Sequence, residues 1–123
     1  MKMKIPPVVR SAGVALSLAA CSLLLLSSSA VAQGAPDPIT MNADTFDRTE
    51  VHITPGQTVT WNNPDAQTHT VTADDGSFDS GDVVTGDQFQ MEFDTPGTYP
   101  YFCGYHGGPG GQGMAGVIVV DGN

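Results

Sequence analysis

The chain of 123 residues contains very little cysteine and very little positive charge. Its two cysteines are Cys21 and Cys103, and its four basic residues stand against thirteen acidic ones. The shortage of basic residues argues against nucleic acid or an anionic membrane surface as the partner. With so few thiols, the fold cannot rest on the disulfide framework that many small exported domains use.

The only long apolar run lies near the start of the chain and is typical of an export signal. Three of the four basic residues lie in the first ten positions, residues 12–26 are mostly apolar, and Ala30-Val31-Ala32 has the pattern of a cleavage site. The run is too short and too interrupted for a membrane span. We predict a signal peptide at residues 1–32, a short lead-in at 33–44 and one domain at 45–123, exported to the periplasm or beyond the cell.

Cys21 allows a second interpretation of this segment, because Leu18-Ala19-Ala20-Cys21 resembles a bacterial lipobox. Acylation of Cys21 would make the protein membrane-associated. However, residues 23–26 continue the apolar run instead of starting a polar linker, so cleavage after Ala32 is favoured. The exported chain would then keep one basic residue, Arg48, against all thirteen acidic residues, a formal net charge of −12. We expect it to be a monomer without a membrane span.

Turn residues divide the rest of the chain into short segments. Pro55-Gly56 and Pro96-Gly97 are examples, and apolar residues alternate with polar ones in segments such as Phe89 to Phe93 and Tyr99 to Cys103. No helical periodicity extends over two turns after the apolar run. Short alternating segments between turns predict an all-β sandwich or small barrel, with Trp61 in its core.

Soft metal ligands are concentrated in the stretch "YFCGYHGGPGGQGM". It supplies Cys103, His106 and Met114, and His69 is the best candidate for a fourth ligand. Two imidazoles, one thiolate and a weak axial thioether form the ligand set of blue-copper electron-transfer sites. The sequence therefore predicts these four residues as ligands of one copper ion. Zinc could also bind two histidines and a cysteine, but the thioether favours copper.

Other uses of these residues are less favoured. Cys103 could be a nucleophile with His106 or His69 as its base, but no oxyanion-stabilising group is evident, so we expect no enzyme activity. A copper storage or delivery module is the alternative function, although such proteins more often use exposed clusters of methionine and histidine. His52 lies between two apolar residues, Val51 and Ile53, and is predicted to face solvent.

The segments "TVTWNNPDAQTHTVTADDGSFDSG" and "FDTPGTYPYFCGYHG" resemble the cupredoxins, in particular small plastocyanin-like and halocyanin-like copper proteins. The resemblance spans residues 46–120. It implies a Greek-key β-sandwich with one type 1 copper at one end, bound by His69, Cys103, His106 and Met114. It also implies transfer of single electrons between redox partners, such as a cytochrome or a membrane redox complex, that dock near His106 and Tyr105.

The chain departs from the plastocyanin pattern in the loop that carries three of these ligands. Seven residues separate His106 from Met114, where plastocyanin-type loops usually have four, and Tyr105 stands where many members have proline. Unlike proline, Tyr105 has an N–H group that could hydrogen-bond the Cys103 sulfur. Thr70, next to His69, is expected to tie the two ligand-bearing segments together.

Overall fold

The computed structural model describes residues 34–122, so the predicted signal peptide, its cleavage site and Cys21 lie outside the described residues. The described chain forms eight β-strands. They are β1 (Ile39–Asn42), β2 (Thr45–Phe46), β3 (Glu50–Ile53), β4 (Gln57–Asn62), β5 (Thr72–Ala73), β6 (Gln88–Phe93), β7 (Gly97–Gly108) and β8 (Gln112–Val120).

These strands form two four-stranded sheets that pack as a sandwich. One sheet has the order β2-β1-β4-β6 and the other β3-β8-β7-β5. β1 runs parallel to β4 and β3 parallel to β8, whereas the remaining neighbours are antiparallel. Over residues 34–122 the structure has no helix, and hence none long and apolar enough to cross a bilayer. The prediction of an all-β sandwich is confirmed.

The core forms where alternating strands turn their apolar residues inward. In β4, Val59 and Trp61 are completely buried while their neighbours are partly exposed. The Trp61 ring packs edge-on against Tyr101, with 5.4 Å between ring centroids. Burial of an aromatic side chain removes roughly 200 Å² from water, which corresponds to about 5 kcal/mol of transfer free energy. The same alternation on β7 places Cys103 inside the sandwich.

The first strand lies within the segment that the sequence assigned to a lead-in. β1 pairs with β4, with Ile39 opposite Trp61, and the Ile39 and Met41 side chains are fully buried. Residues 33–44 therefore contain a strand of the domain. The sequence signal was weak because only two alternating apolar residues follow the prolines of "APDP", and the burial of both depends on tertiary pairing.

His52 on β3 faces solvent, as its position between Val51 and Ile53 predicts. Its Nε2 lies 2.9 Å from Glu50 Oε1, and its Nδ1 lies 3.1 Å from Asp121 Oδ1. The hydrogen bond to Glu50, followed by the bond to Asp121, raises the pKa of His52 above its ordinary value of 6.5. Because the pKa is higher in the folded state, protonated His52 contributes to the free energy of unfolding. This contribution is fully present below pH 6.5 and is lost as the pH rises through the folded-state pKa.

We expect a His52→Gln variant to reveal this contribution. The free energy of unfolding of the parent should exceed that of the variant most clearly below pH 6.5, and the difference should shrink at higher pH and with added salt. Denaturant titrations of both proteins at several pH values measure it. A difference that stays constant across the pH range would show that the ion pairs do not stabilise the fold.

Candidate metal centre

A large register shift in the β7–β8 hairpin positions three of the four predicted ligands. Phe102 pairs with Ala115 and Gly107 with Gly113, so residues 103–106 of β7 lie opposite Met114 alone. The seven residues after His106 thus form the paired end of a hairpin instead of a loose loop. The bulge brings the backbones of Cys103, His106 and Met114 to one end of the sandwich.

Two glycines allow this close approach of the strands. A Cβ atom on Gly107 would lie 2.5 Å from the Met114 carbonyl oxygen, and a Cβ atom on Gly113 would collide with the His106 carbonyl oxygen. Gly113 also has a φ angle of +63°, which side-chain-bearing residues rarely adopt. The glycine-rich composition of this hairpin therefore has a local steric cause next to the predicted ligands.

His69 is held at the same end by a loop that a buried asparagine organises. The Asn63 side chain donates to the carbonyl oxygens of Gln67 and Val83, at 2.8 and 2.7 Å, and accepts a 2.9 Å bond from the Asp65 N–H. His69 and Val83 exchange two backbone hydrogen bonds. Asn63 was not singled out from the sequence as a site residue, although an Asn-Pro-Asp sequence favours a side-chain-stabilised turn.

Three ligand atoms converge at this end of the sandwich. His69 Nδ1 lies 3.2 Å from His106 Nδ1 and 3.7 Å from Cys103 Sγ, and the sulfur lies 3.5 Å from His106 Nδ1. A point equidistant from atoms at these separations lies about 2.0 Å from each, close to the roughly 2.0–2.3 Å of metal bonds to imidazole nitrogen and thiolate sulfur. Among the described residues, this is the one group of three or more histidine, cysteine or acidic side chains that could hold a metal ion.

The protonation of His69 suits a metal ligand. Its Nε2 lies 3.0 Å from Asp65 Oδ2, and this hydrogen bond is the main cause of the lowered pKa of Asp65. An ionised carboxylate only accepts hydrogen bonds, so a neutral His69 ring bonded to it carries its proton on Nε2 and leaves the Nδ1 lone pair free to bind a metal. Together with the buried, unbridged thiol of Cys103, this geometry fits a metal that accepts nitrogen and sulfur ligands.

Thr70 joins the two ligand-bearing segments, as expected from the sequence. Its N–H donates to Cys103 Sγ at 3.4 Å, and its Oγ1 accepts a 2.7 Å bond from the Gly104 N–H. The expected bond from the Tyr105 N–H to the sulfur is absent among the hydrogen bonds of the described residues. The exposed Tyr105 side chain instead donates its hydroxyl to Asp82 Oδ1 at 2.6 Å.

Replacement of Thr70 by valine is expected to destabilise the fold by about 1–3 kcal/mol, because the Gly104 N–H loses its acceptor. Thr60→Val is the matched control, since the Thr60 hydroxyl accepts an exposed bond from Gln90; its effect should stay within about 0.5 kcal/mol. Denaturant unfolding of the metal-free proteins measures both changes. Equal effects of the two substitutions would contradict the bridging role of Thr70.

Met114 is buried, with 1% of its surface exposed, in the position opposite the bulge. The structure therefore brings His69, Cys103 and His106 into contact and places Met114 beside them in the sheet register. The other described methionines serve the core, since Met41 is fully buried and Met91 packs against the buried cluster. His52 lies outside the site, as predicted.

Comparisons with known proteins agree with the fold and the site. A family model described as a cupredoxin-like domain matches residues 15–120. The plastocyanin of Scenedesmus fuscus is 36% identical over 61% of this chain and 85% of its own, and the chloroplastic plastocyanin of Physcomitrium patens is 31% identical over 91% of this chain and 71% of its own. The structure of an amicyanin mutant with Cu(I) superposes with a TM-score of 0.61 at 27% identity, covering 74% of this chain and 86% of amicyanin.

Residues 34–122 form a small β-sandwich with a His-Cys-His cluster that could hold one metal ion. The chain belongs to the cupredoxin-like family and is related within it to plastocyanin and amicyanin. This membership confirms the resemblance found in the sequence and the prediction of copper as the cofactor. The relatedness to plastocyanin and amicyanin, together with the His-Cys-His cluster, supports a type 1 copper electron carrier.

Proposed function

We propose that this protein carries single electrons between redox partners through one copper ion bound by His69, Cys103 and His106, with Met114 as the axial ligand. Copper held by this ligand set supplies a Cu(I)/Cu(II) couple. The observation that carries the proposal is the convergence of three ligand atoms with separations of 3.2, 3.5 and 3.7 Å. His69 and Cys103 are completely buried and held by hydrogen bonds, so little rearrangement is needed when the charge changes.

His106 is the route by which we propose that electrons enter and leave. Its side chain is 20% exposed, whereas the His69 side chain is fully buried. Tyr105 beside it is 59% exposed and forms an apolar surface next to His106. Electron-transfer partners use small contact areas that favour rapid release.

The strongly acidic surface favours a basic partner, such as a cytochrome or a membrane redox complex. Attraction of this kind accelerates encounter and weakens as salt is added. We propose that the protein acts as an exported monomer after removal of residues 1–32. Acylation of Cys21 would instead tether the same domain to a membrane.

Voltammetry of the copper-loaded chain from residue 33 to 123 tests electron transfer against copper storage or delivery. Electron transfer predicts a reversible one-electron wave, with copper retained in both oxidation states against a competing chelator. Irreversible reduction with release of copper would support delivery instead. His52→Ala is the matched control for His106→Ala, since both remove one histidine but only His106 lies in the cluster; the control should keep the wave.

A further inference from the structure

A carboxylate lies directly behind the buried histidine of the metal centre. Asp65 Oδ2 lies 3.0 Å from His69 Nε2, within hydrogen-bond distance and on the side of the ring remote from Cys103. The His69 side chain is completely buried, and only 19% of the Asp65 side chain is exposed. The imidazole ring therefore connects a largely shielded negative charge to the point where the three ligand atoms meet.

The position of this carboxylate is fixed by the local backbone. The Asp65 N–H donates to the buried side chain of Asn63 at 2.9 Å, and Asp65 Oδ1 accepts a 2.7 Å bond from the Ala66 N–H. The first bond anchors the Asp65 backbone, and the second uses the other carboxylate oxygen, so that Oδ2 remains directed at His69. The turn at residues 63–66 thus holds the charge in place without help from a metal.

We propose that Asp65 is a positioning residue that fixes His69 as its Nε2–H tautomer and stabilises Cu(II) relative to Cu(I), which lowers the reduction potential of the site. The proposal rests on the proposed copper function. A carboxylate that accepts the second N–H of a metal-bound histidine orients the ring and increases its basicity. Its negative charge favours the oxidation state with the larger positive charge, and shielding from water strengthens the effect.

Asp44 provides a matched comparison at the second histidine. Asp44 Oδ1 lies 3.7 Å from His106 Nε2, beyond hydrogen-bond distance, and 73% of its side chain is exposed. Solvent screens such an exposed charge far more than a shielded one. Asp65→Asn and Asp44→Asn remove the same charge from behind the two histidines, but only the first removes a shielded, hydrogen-bonded carboxylate.

Voltammetry of the copper-loaded parent and the two variants tests the effect on the potential. We expect Asp65→Asn to raise the midpoint potential, with a change of about tenfold or more in the relative affinity for Cu(I) over Cu(II). Asp44→Asn should produce a clearly smaller change. An unchanged or lowered potential in Asp65→Asn, or an equal change in both variants, would overturn the proposal.

Nitrogen NMR of the metal-free parent protein gives a second readout. It needs no copper, and it does not depend on whether the Asp65→Asn variant folds. The parent should show His69 as the Nε2–H tautomer, with a proton on Nε2 protected from exchange. The Nδ1–H tautomer would overturn the proposal. If the parent shows no reversible copper redox wave, the proposed function itself is wrong. If the parent is redox-active but Asp65→Asn has the same midpoint potential, only the role of Asp65 is wrong.

Discussion

Cys103→Ser is expected to abolish the intense visible absorption of the Cu(II)-loaded protein. That absorption requires a thiolate bound to copper, and Cys103 is the free cysteine of the described chain, fully buried at the point where His69 and His106 converge. Serine keeps the size of the side chain but offers a hydroxyl, which is a much poorer ligand for Cu(I). The absorption should fall to the weak level of ordinary cupric complexes, and reversible voltammetry should be lost with it.

His52→Ala provides the control for this substitution. His52 is the one histidine of the chain that lies outside the cluster. It is exposed and hydrogen-bonded to Glu50 and Asp121. The variant should keep the full visible spectrum of the parent. Intense absorption that survives in Cys103→Ser, or disappears in His52→Ala, would mean that copper binds elsewhere.

Gly107→Ala is expected to destabilise the protein by about 3 kcal/mol or more, because a close contact with backbone atoms cannot be relieved by a rotamer change. The added Cβ would lie 2.5 Å from the Met114 carbonyl oxygen and 2.6 Å from that of Gln112. The hairpin would have to open between Cys103 and Met114. Copper binding should therefore weaken together with stability.

Gly108→Ala is the matched control one residue further along the same hairpin. A Cβ atom there would meet nothing within 4 Å, and the φ angle is not in the left-handed region. Alanine should leave stability unchanged or raise it by up to about 1 kcal/mol through the unfolded state. Chemical denaturation of both metal-free variants, followed by copper titration, measures the contrast, and equal stabilities would contradict the tight pairing of this hairpin.

The parts of the structure that could be predicted from the sequence are those with local signals. Alternating apolar residues between turns indicated the all-β sandwich, and the burial of Val59 and Trp61 follows that alternation. Cys103 and His106 are only three positions apart, and this short spacing predicted that both side chains belong to one site. The structure also explains how a loop of seven residues between His106 and Met114, three more than plastocyanin-type loops usually have, still leaves Met114 opposite the bulge that contains Cys103, through extended pairing of the hairpin.

The features missed from the sequence depend on contacts between distant segments. β1 contains only two inward apolar residues, and its place in the sheet depends on pairing with β4. The carboxylate of Asp65 reaches His69 only because Asn63 shapes the intervening turn. The sequence offered the Tyr105 N–H as one that could donate to the Cys103 sulfur, but the amide that donates to it belongs to Thr70 on another segment.

Electron paramagnetic resonance of the chain from residue 33 to 123, loaded with one equivalent of Cu(II), is the most direct test of the copper site. A thiolate and two imidazoles around one copper predict an intense visible band together with an unusually small copper hyperfine splitting, because the unpaired electron is shared with the Cys103 sulfur. A colourless sample with the large splitting of ordinary cupric complexes would contradict a shared site for His69, Cys103 and His106.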